Sequence, residues 1–124
     1  MRRIFVLTAL CALLAGSLAA CGPSAPPMAY REAECPLSVQ IQEAWAGTGD
    51  EHWAVDTAIR ESRCRPDARN PSGASGVFQL MLPLHSGLFW AVCYAGPYVW
   101  WDAGCNIAAA RLLYDGSGRA PWRF

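Results

Sequence analysis

The stretch ESRCRPDARNPSGASGVFQLM, residues 61–81, decides how the rest of the chain is read. A helical pattern stops here and a Gly-rich turn begins, with one acidic residue, Glu61, at the junction. Val55, Ala58 and Ile59 recur at helical spacing just before it, and Pro66 cannot continue a helix, so Glu61 is expected in or near the last turn. A carboxyl group near the negative end of a helix dipole, and partly buried, keeps its acid form more readily. Such a group can serve as a proton donor near neutral pH. Arg60, Arg63 and Arg65 act in the opposite sense wherever they point at the carboxylate, and the sequence leaves that balance open. Downstream, Pro71-Ser72-Gly73-Ala74-Ser75-Gly76 is a turn cluster that lets the backbone come close to whatever Glu61 faces.

These residues carry a resemblance. Glu61-Ser62, then Pro66, Ala68, Pro71, Gly73-Ala74, Gly76-Val77-Phe78-Gln79 and Met81 occur in the order and spacing found in lytic transglycosylases of the SLT type. Those enzymes form a branch of the lysozyme-like superfamily. Asn106-Ile107, with Ala110, Leu112 and Leu113, resembles the later Asn-Ile helix of the same family, so the likeness extends from Trp53 to Tyr114. The resemblance implies a mainly α, small lysozyme-like domain with a helical hairpin, a Gly-rich turn and a groove. It also implies cleavage of the β-1,4 bond between N-acetylmuramic acid and N-acetylglucosamine in peptidoglycan, with Glu61 as acid/base and no cofactor. Gln79 and the turn would line the sugar groove, with Asn106 and Tyr94 also binding substrate. Asn70 stands where the family usually has a Ser near the catalytic acid, and its amide can still hydrogen-bond there. The segment 116–124 departs most from the longer members, which carry a further Tyr-Asn-Ala-Gly-type wall of the groove. Pro121-Trp122 instead resembles the endings of shorter lysozyme-like domains, whose Trp packs back on the body. The missing wall bears on substrate length and product.

Outside that region the chain reads as an exported lipoprotein. Arg2 and Arg3 precede an apolar run from Ile4 to Ala15, as in an export signal. Leu18-Ala19-Ala20-Cys21 resembles a bacterial lipobox, which implies cleavage before Cys21 and acylation of its thiol, with several acyl chains together giving stable anchoring. An ordinary secretory signal and an uncleaved anchor are the alternatives, though the apolar run is short for a spanning helix. The expected division is a signal peptide at 1–20, a lipidated Cys with a Pro-rich tether at 21–34, and one small domain at 35–124. The expected location is the cell envelope, on the outer surface of a membrane, with peptidoglycan glycan strands as partner. Ten basic and ten acidic residues give a formal net charge of zero, so composition makes no case for a nucleic-acid partner.

Cysteine usage agrees with export. Cys11 leaves with the signal and Cys21 takes lipid, so Cys35, Cys64, Cys93 and Cys105 remain for an oxidising compartment. Four cysteines permit three pairings. Leu37 to Trp45 and Glu51 to Arg63 read as two helices joined by Gly47-Thr48-Gly49-Asp50, with Thr48 and Glu51 at capping-box spacing. An antiparallel hairpin puts its first residue beside its last, which favours Cys35–Cys64 and leaves Cys93–Cys105. Zinc fits poorly, because these cysteines with His52 and His85 show no metal-ligand spacing, and no metal site is assigned. Asp102 reads as the N-cap of a third helix ending at Gly116.

From Phe89 to Trp101 the chain is rich in aromatics: Phe89, Trp90, Tyr94, Tyr98, Trp100 and Trp101. Such rings pack against the C–H faces of sugars, and several of them fill the core of a small domain equally well. The carboxylates bear on the reaction. Hydrolysis normally uses two, whereas a lytic transglycosylase uses one Glu and closes an anhydro ring without water. Asp67 lies between Arg65 and Arg69, which suggests ion pairing rather than catalysis, and Asp102 is better used as a cap. Glu61 is therefore the single candidate. This favours the transglycosylase, with a lysozyme-type hydrolase and a catalytically weak glycan-binding lipoprotein as alternatives.

Overall fold

The computed structural model describes residues 32–123; the export signal, Cys21 and the expected tether up to residue 31 lie outside the described residues, and residues 32–34, assigned to the tether, are helical. Within them the protein is mainly helical, with helices α1 (Ser38–Ala44), α2 (Glu51–Ser62), α3 (Ser86–Cys93) and α4 (Ala103–Ser117). A two-stranded antiparallel ribbon, β1 (Ala74–Ser75) with β2 (Leu80–Met81), lies between α2 and α3, and 3-10 turns occupy Gly96–Val99 and Ala120–Trp122. No helix among the described residues is long and apolar enough to cross a membrane.

The hairpin of α1 and α2 forms because each has an apolar face. Ile41 and Trp45 from the first and Ala54, Val55 and Ala58 from the second are wholly buried. Burying side chains such as Ile41, Val55 and Phe78 stabilises the domain by roughly 1.5–3 kcal/mol each. Thr48 and Glu51 do not form the expected capping box. Asp50 is the N-cap of α2, while Thr48 Oγ1 donates to Trp45 O and accepts from Asp50 N, and Glu51 Oε1 accepts from Gly47 N. The two residues brace the loop ahead of the helix, whose N-cap lies two residues later than their spacing implies.

Helix α2 stops before Pro66 can act on it. Arg63 and Cys64 both take left-handed backbone, at φ 54° and 56°, and Arg63 N and Cys64 N donate back to Ile59 O and Ala58 O. The reversal brings Cys64 to Cys35, and the two form one disulfide; Cys93 and Cys105 form the other, joining α3 to α4. Both pairings are those the hairpin argument favours. Asp102 caps α4 by accepting from Cys105 N, but α4 runs through Gly116 and stops at Gly118, which has positive φ. Gly116 keeps helical backbone, since glycine permits a helix end without forcing one.

The core is built from rings far apart in sequence. Trp45 stacks on Phe78 with centroids 5.1 Å apart, and Trp122 meets both Phe78 and Trp53 edge-on. Tyr114 closes the cluster against Trp45 and Trp53. The tail is tied down by polar contacts as well. Asp50 accepts from Tyr114 Oη at 2.6 Å and from Arg119 Nε at 2.9 Å, with a second contact from Arg119 Nη2. As the Trp in this ending suggests, Trp122 packs back on the body, and its Nε1 donates to Phe78 O.

Candidate active site

Glu61 is the penultimate residue of α2 and faces a cleft, its side chain 13 % exposed. Its neighbour Ser62 points the other way. The buried Ser62 Oγ lies 2.7 Å from Val77 O, so the helix end is pinned to the Gly-rich turn while Glu61 is presented on the opposite side. Of the arginines beside it in sequence, Arg60 engages the carboxylate: its Nη2 lies 3.2 Å from Glu61 Oε1. The same guanidinium donates to Trp122 O at 3.0 Å, which joins the catalytic candidate to the packed tail. Arg65 turns back to Ser62 O, and Arg69 lies over the Trp100 ring at 5.5 Å. The expected pairing of Asp67 with these two arginines is therefore not what occupies them, and Asp67 is exposed.

The turn is built by its own amides. Asn70 Oδ1 accepts from Ser72 N, Ser72 Oγ and Ala74 N, which folds residues 70–74 back on themselves. Gly76 has φ +79°, and a Cβ there would meet Trp100 O at 2.6 Å and run into the Asn106 side chain, so glycine is required twice over. Gln79 adopts φ 50° without being glycine, and its Nε2 donates to Ala68 O and Gly76 O. Its amide stabilises the backbone that crosses the cleft floor.

Glu61, Asn70 and Gln79 come together at the junction of two arms of this cleft. One arm, of about 330 Å3, is walled by Leu80, Met81, Leu113, Pro121 and Trp122, with His85 at its edge. The other, of about 430 Å3, is flanked by Arg60, Arg63, Arg65 and Arg69. Among the described residues lining either arm, Glu61 is the sole carboxylic acid.

Two residues expected at the groove lie elsewhere. Asn106 is wholly buried: its Oδ1 accepts from Phe78 N at 2.9 Å, and its Nδ2 donates to Ser75 O and Trp100 O at 3.1 and 3.2 Å. It sits beneath the turn and holds it, with no atom left for a ligand. Tyr94 caps α3 in left-handed backbone and is 85 % exposed, away from the Glu61 cleft. The aromatic run divides likewise: Phe89 is core, whereas Tyr98, Trp100 and Trp101 line a separate hollow that meets the cationic arm at Arg69.

Sequence reasoning missed His85 and the arginine arm as parts of the site. His85 Nδ1 is buried without a partner, and burial holds the imidazole below its ordinary value, so it is neutral near pH 7. A lone His carries no motif that announces this position. The arginines were visible in sequence only as neighbours of Glu61; the left-handed turn at residues 63–64 gathers them on one side. No three His, Cys, Asp or Glu side chains converge as a metal site among the described residues. Comparison with protein-family models, with curated proteins and with solved structures finds no match to this chain.

Proposed function

We propose that this protein is a lysozyme-like lytic transglycosylase that cleaves the bond between N-acetylmuramic acid and N-acetylglucosamine in peptidoglycan, held at the membrane surface by lipid on Cys21. The observation that carries the reading is a cleft with one carboxylic acid, Glu61, at the junction of its two arms. A hydrolase of the usual kind needs two carboxyl groups across the scissile bond, and a transglycosylase needs one. The ordered motif from Glu61 to Met81 supports the same reading, since its Ser62, Asn70, Gly76 and Gln79 all serve to fix the turn beside Glu61.

In this reaction Glu61 starts as the acid. It gives its proton to the glycosidic oxygen as the C1–O bond breaks, and the electron pair leaves with that oxygen. The resulting carboxylate then accepts the proton of the muramoyl C6 hydroxyl while its oxygen bonds to C1. The ring closes as a 1,6-anhydro product and no water is consumed. Arg60 engages Oε1, so Oε2 is the oxygen assigned the proton transfers.

The test is mass spectrometry of soluble fragments after the purified protein is incubated with peptidoglycan, beside Glu61→Gln. Anhydro-ended fragments that vanish in the variant are expected. Reducing ends would move the reaction to hydrolysis, and the absence of fragments from the parent protein would leave a glycan-binding role.

A further inference from the structure

The two arms of the cleft differ in chemistry. The apolar arm offers Met81, Leu113 and Pro121 to sugar faces, whereas the cationic arm has no acid other than Glu61 at its border. Arg63 and Arg65 are exposed on this second arm, and Arg69 is held there over Trp100. Its basic side chains are arginines, as throughout this lysine-free chain, and their planar fork suits paired oxygens such as those of a carboxylate. A bare amino-sugar strand supplies no anion to match them. Peptidoglycan strands do supply one, because each muramic acid carries a lactyl-linked peptide with free carboxylates.

Resting on the reading of the cleft as a peptidoglycan site, we infer that the arginine arm binds the carboxylates of the stem peptide on the muramoyl residue at Glu61. The arm thereby fixes strand polarity: the muramoyl substituent projects toward Arg63 and Arg65, and the neighbouring sugar runs along the apolar arm. Glycan carrying peptides is then preferred over strands whose muramic acid carries no free carboxylate. Both arginines are solvent-exposed, so the preference weakens with added salt.

The experiment uses Glu61→Gln protein, to stop turnover, and measures co-sedimentation or calorimetric binding to peptide-bearing strands and to the same strands stripped by an amidase, with the lactyl carboxyl that the amidase frees capped as its methylamide so that no anion remains. Peptide-bearing strands are expected to bind about five-fold more tightly, as two exposed charge pairs allow. Adding Arg63→Asn and Arg65→Gln should bring the ratio near one while affinity for bare strands stays; Asn tolerates the left-handed backbone at position 63. An unchanged thermal midpoint confirms that the variant is folded. A ratio near one before the arginines are changed overturns the inference, and so does a ratio that survives their replacement. Equal binding of both strands, with a poly(glycerol phosphate) competitor displacing them in an Arg63- and Arg65-dependent way, overturns it in favour of a phosphodiester polymer. The two readings fail separately: peptide preference without cleavage by the parent protein removes only the acid/base role of Glu61, and cleavage without preference removes only the peptide-binding arm.

Discussion

Replacing Asn106 by Ala tests whether this residue serves the fold or the ligand. Its side chain is wholly buried and makes three hydrogen bonds, accepting from Phe78 N and donating to Ser75 O and Trp100 O. Truncation leaves one buried N–H and two carbonyl oxygens without this partner. An orphaned buried group costs about 1–3 kcal/mol, and the carbonyls keep a second lone pair for other donors, so a total of about 3 kcal/mol is expected. For a domain of this size that corresponds to a fall in melting temperature of about 15 °C. Urea unfolding with disulfides intact, followed by tryptophan fluorescence, reads the change as a lower midpoint at constant slope. Asn106→Asp keeps the acceptor for Phe78 N but sets a carboxylate oxygen against two carbonyls, so at neutral pH it should be at least as destabilised. A loss below about 1 kcal/mol would refute the reasoning, since even one orphaned group costs that much. Weakened glycan binding with unchanged stability would return Asn106 to the groove.

Two further outcomes follow from other contacts of the fold. Arg119 first, then Tyr114, hold the Asp50 carboxyl at about 2, against an ordinary value of 3.8. A group depressed in the folded state contributes stability above its unfolded value and loses it as pH falls through the folded one, so the melting temperature should drop between about pH 4 and pH 2. Asp50→Asn should flatten that acid limb, and an unchanged limb would show that the tie between α2 and the tail does not form in solution. Replacing Cys35 and Cys64 by Ala removes a crosslink spanning 29 residues. Loop entropy gives about 3.5 kcal/mol lost in denaturant unfolding. A loss under about 1 kcal/mol would show that the α1–α2 hairpin closes without the bond.

The sequence by itself determined the helical hairpin and the position of Glu61 at a helix end, and favoured the Cys35–Cys64 disulfide among three pairings. Those follow from local rules: the apolar period of residues 37–59, the even set of cysteines, and Pro66 with the turn cluster after it, which bound the helix. Local rules also place Asp102 as a cap, because its partner, Cys105 N, is three residues away. Tertiary structure alone decided which polar residues face the cleft. Asn70, Gln79 and Asn106 are all amides near one motif, and nothing in their spacing distinguishes an amide that floors a groove from one that is buried beneath it. Asn106 is drawn under the turn because Phe78 N, Ser75 O and Trp100 O converge there from separate segments and need one side chain that both donates and accepts. The aromatics divide for the same reason. Trp45, Trp53, Phe78, Tyr114 and Trp122 meet only when the hairpin, the turn and the tail are brought together, whereas Tyr94 and Tyr98, within a denser aromatic run, stay in solvent. The two-armed cleft belongs to this second class. Its arginine side is gathered by left-handed backbone at Arg63 and Cys64, and its apolar side by a tail whose place depends on Asp50, more than sixty residues away along the chain.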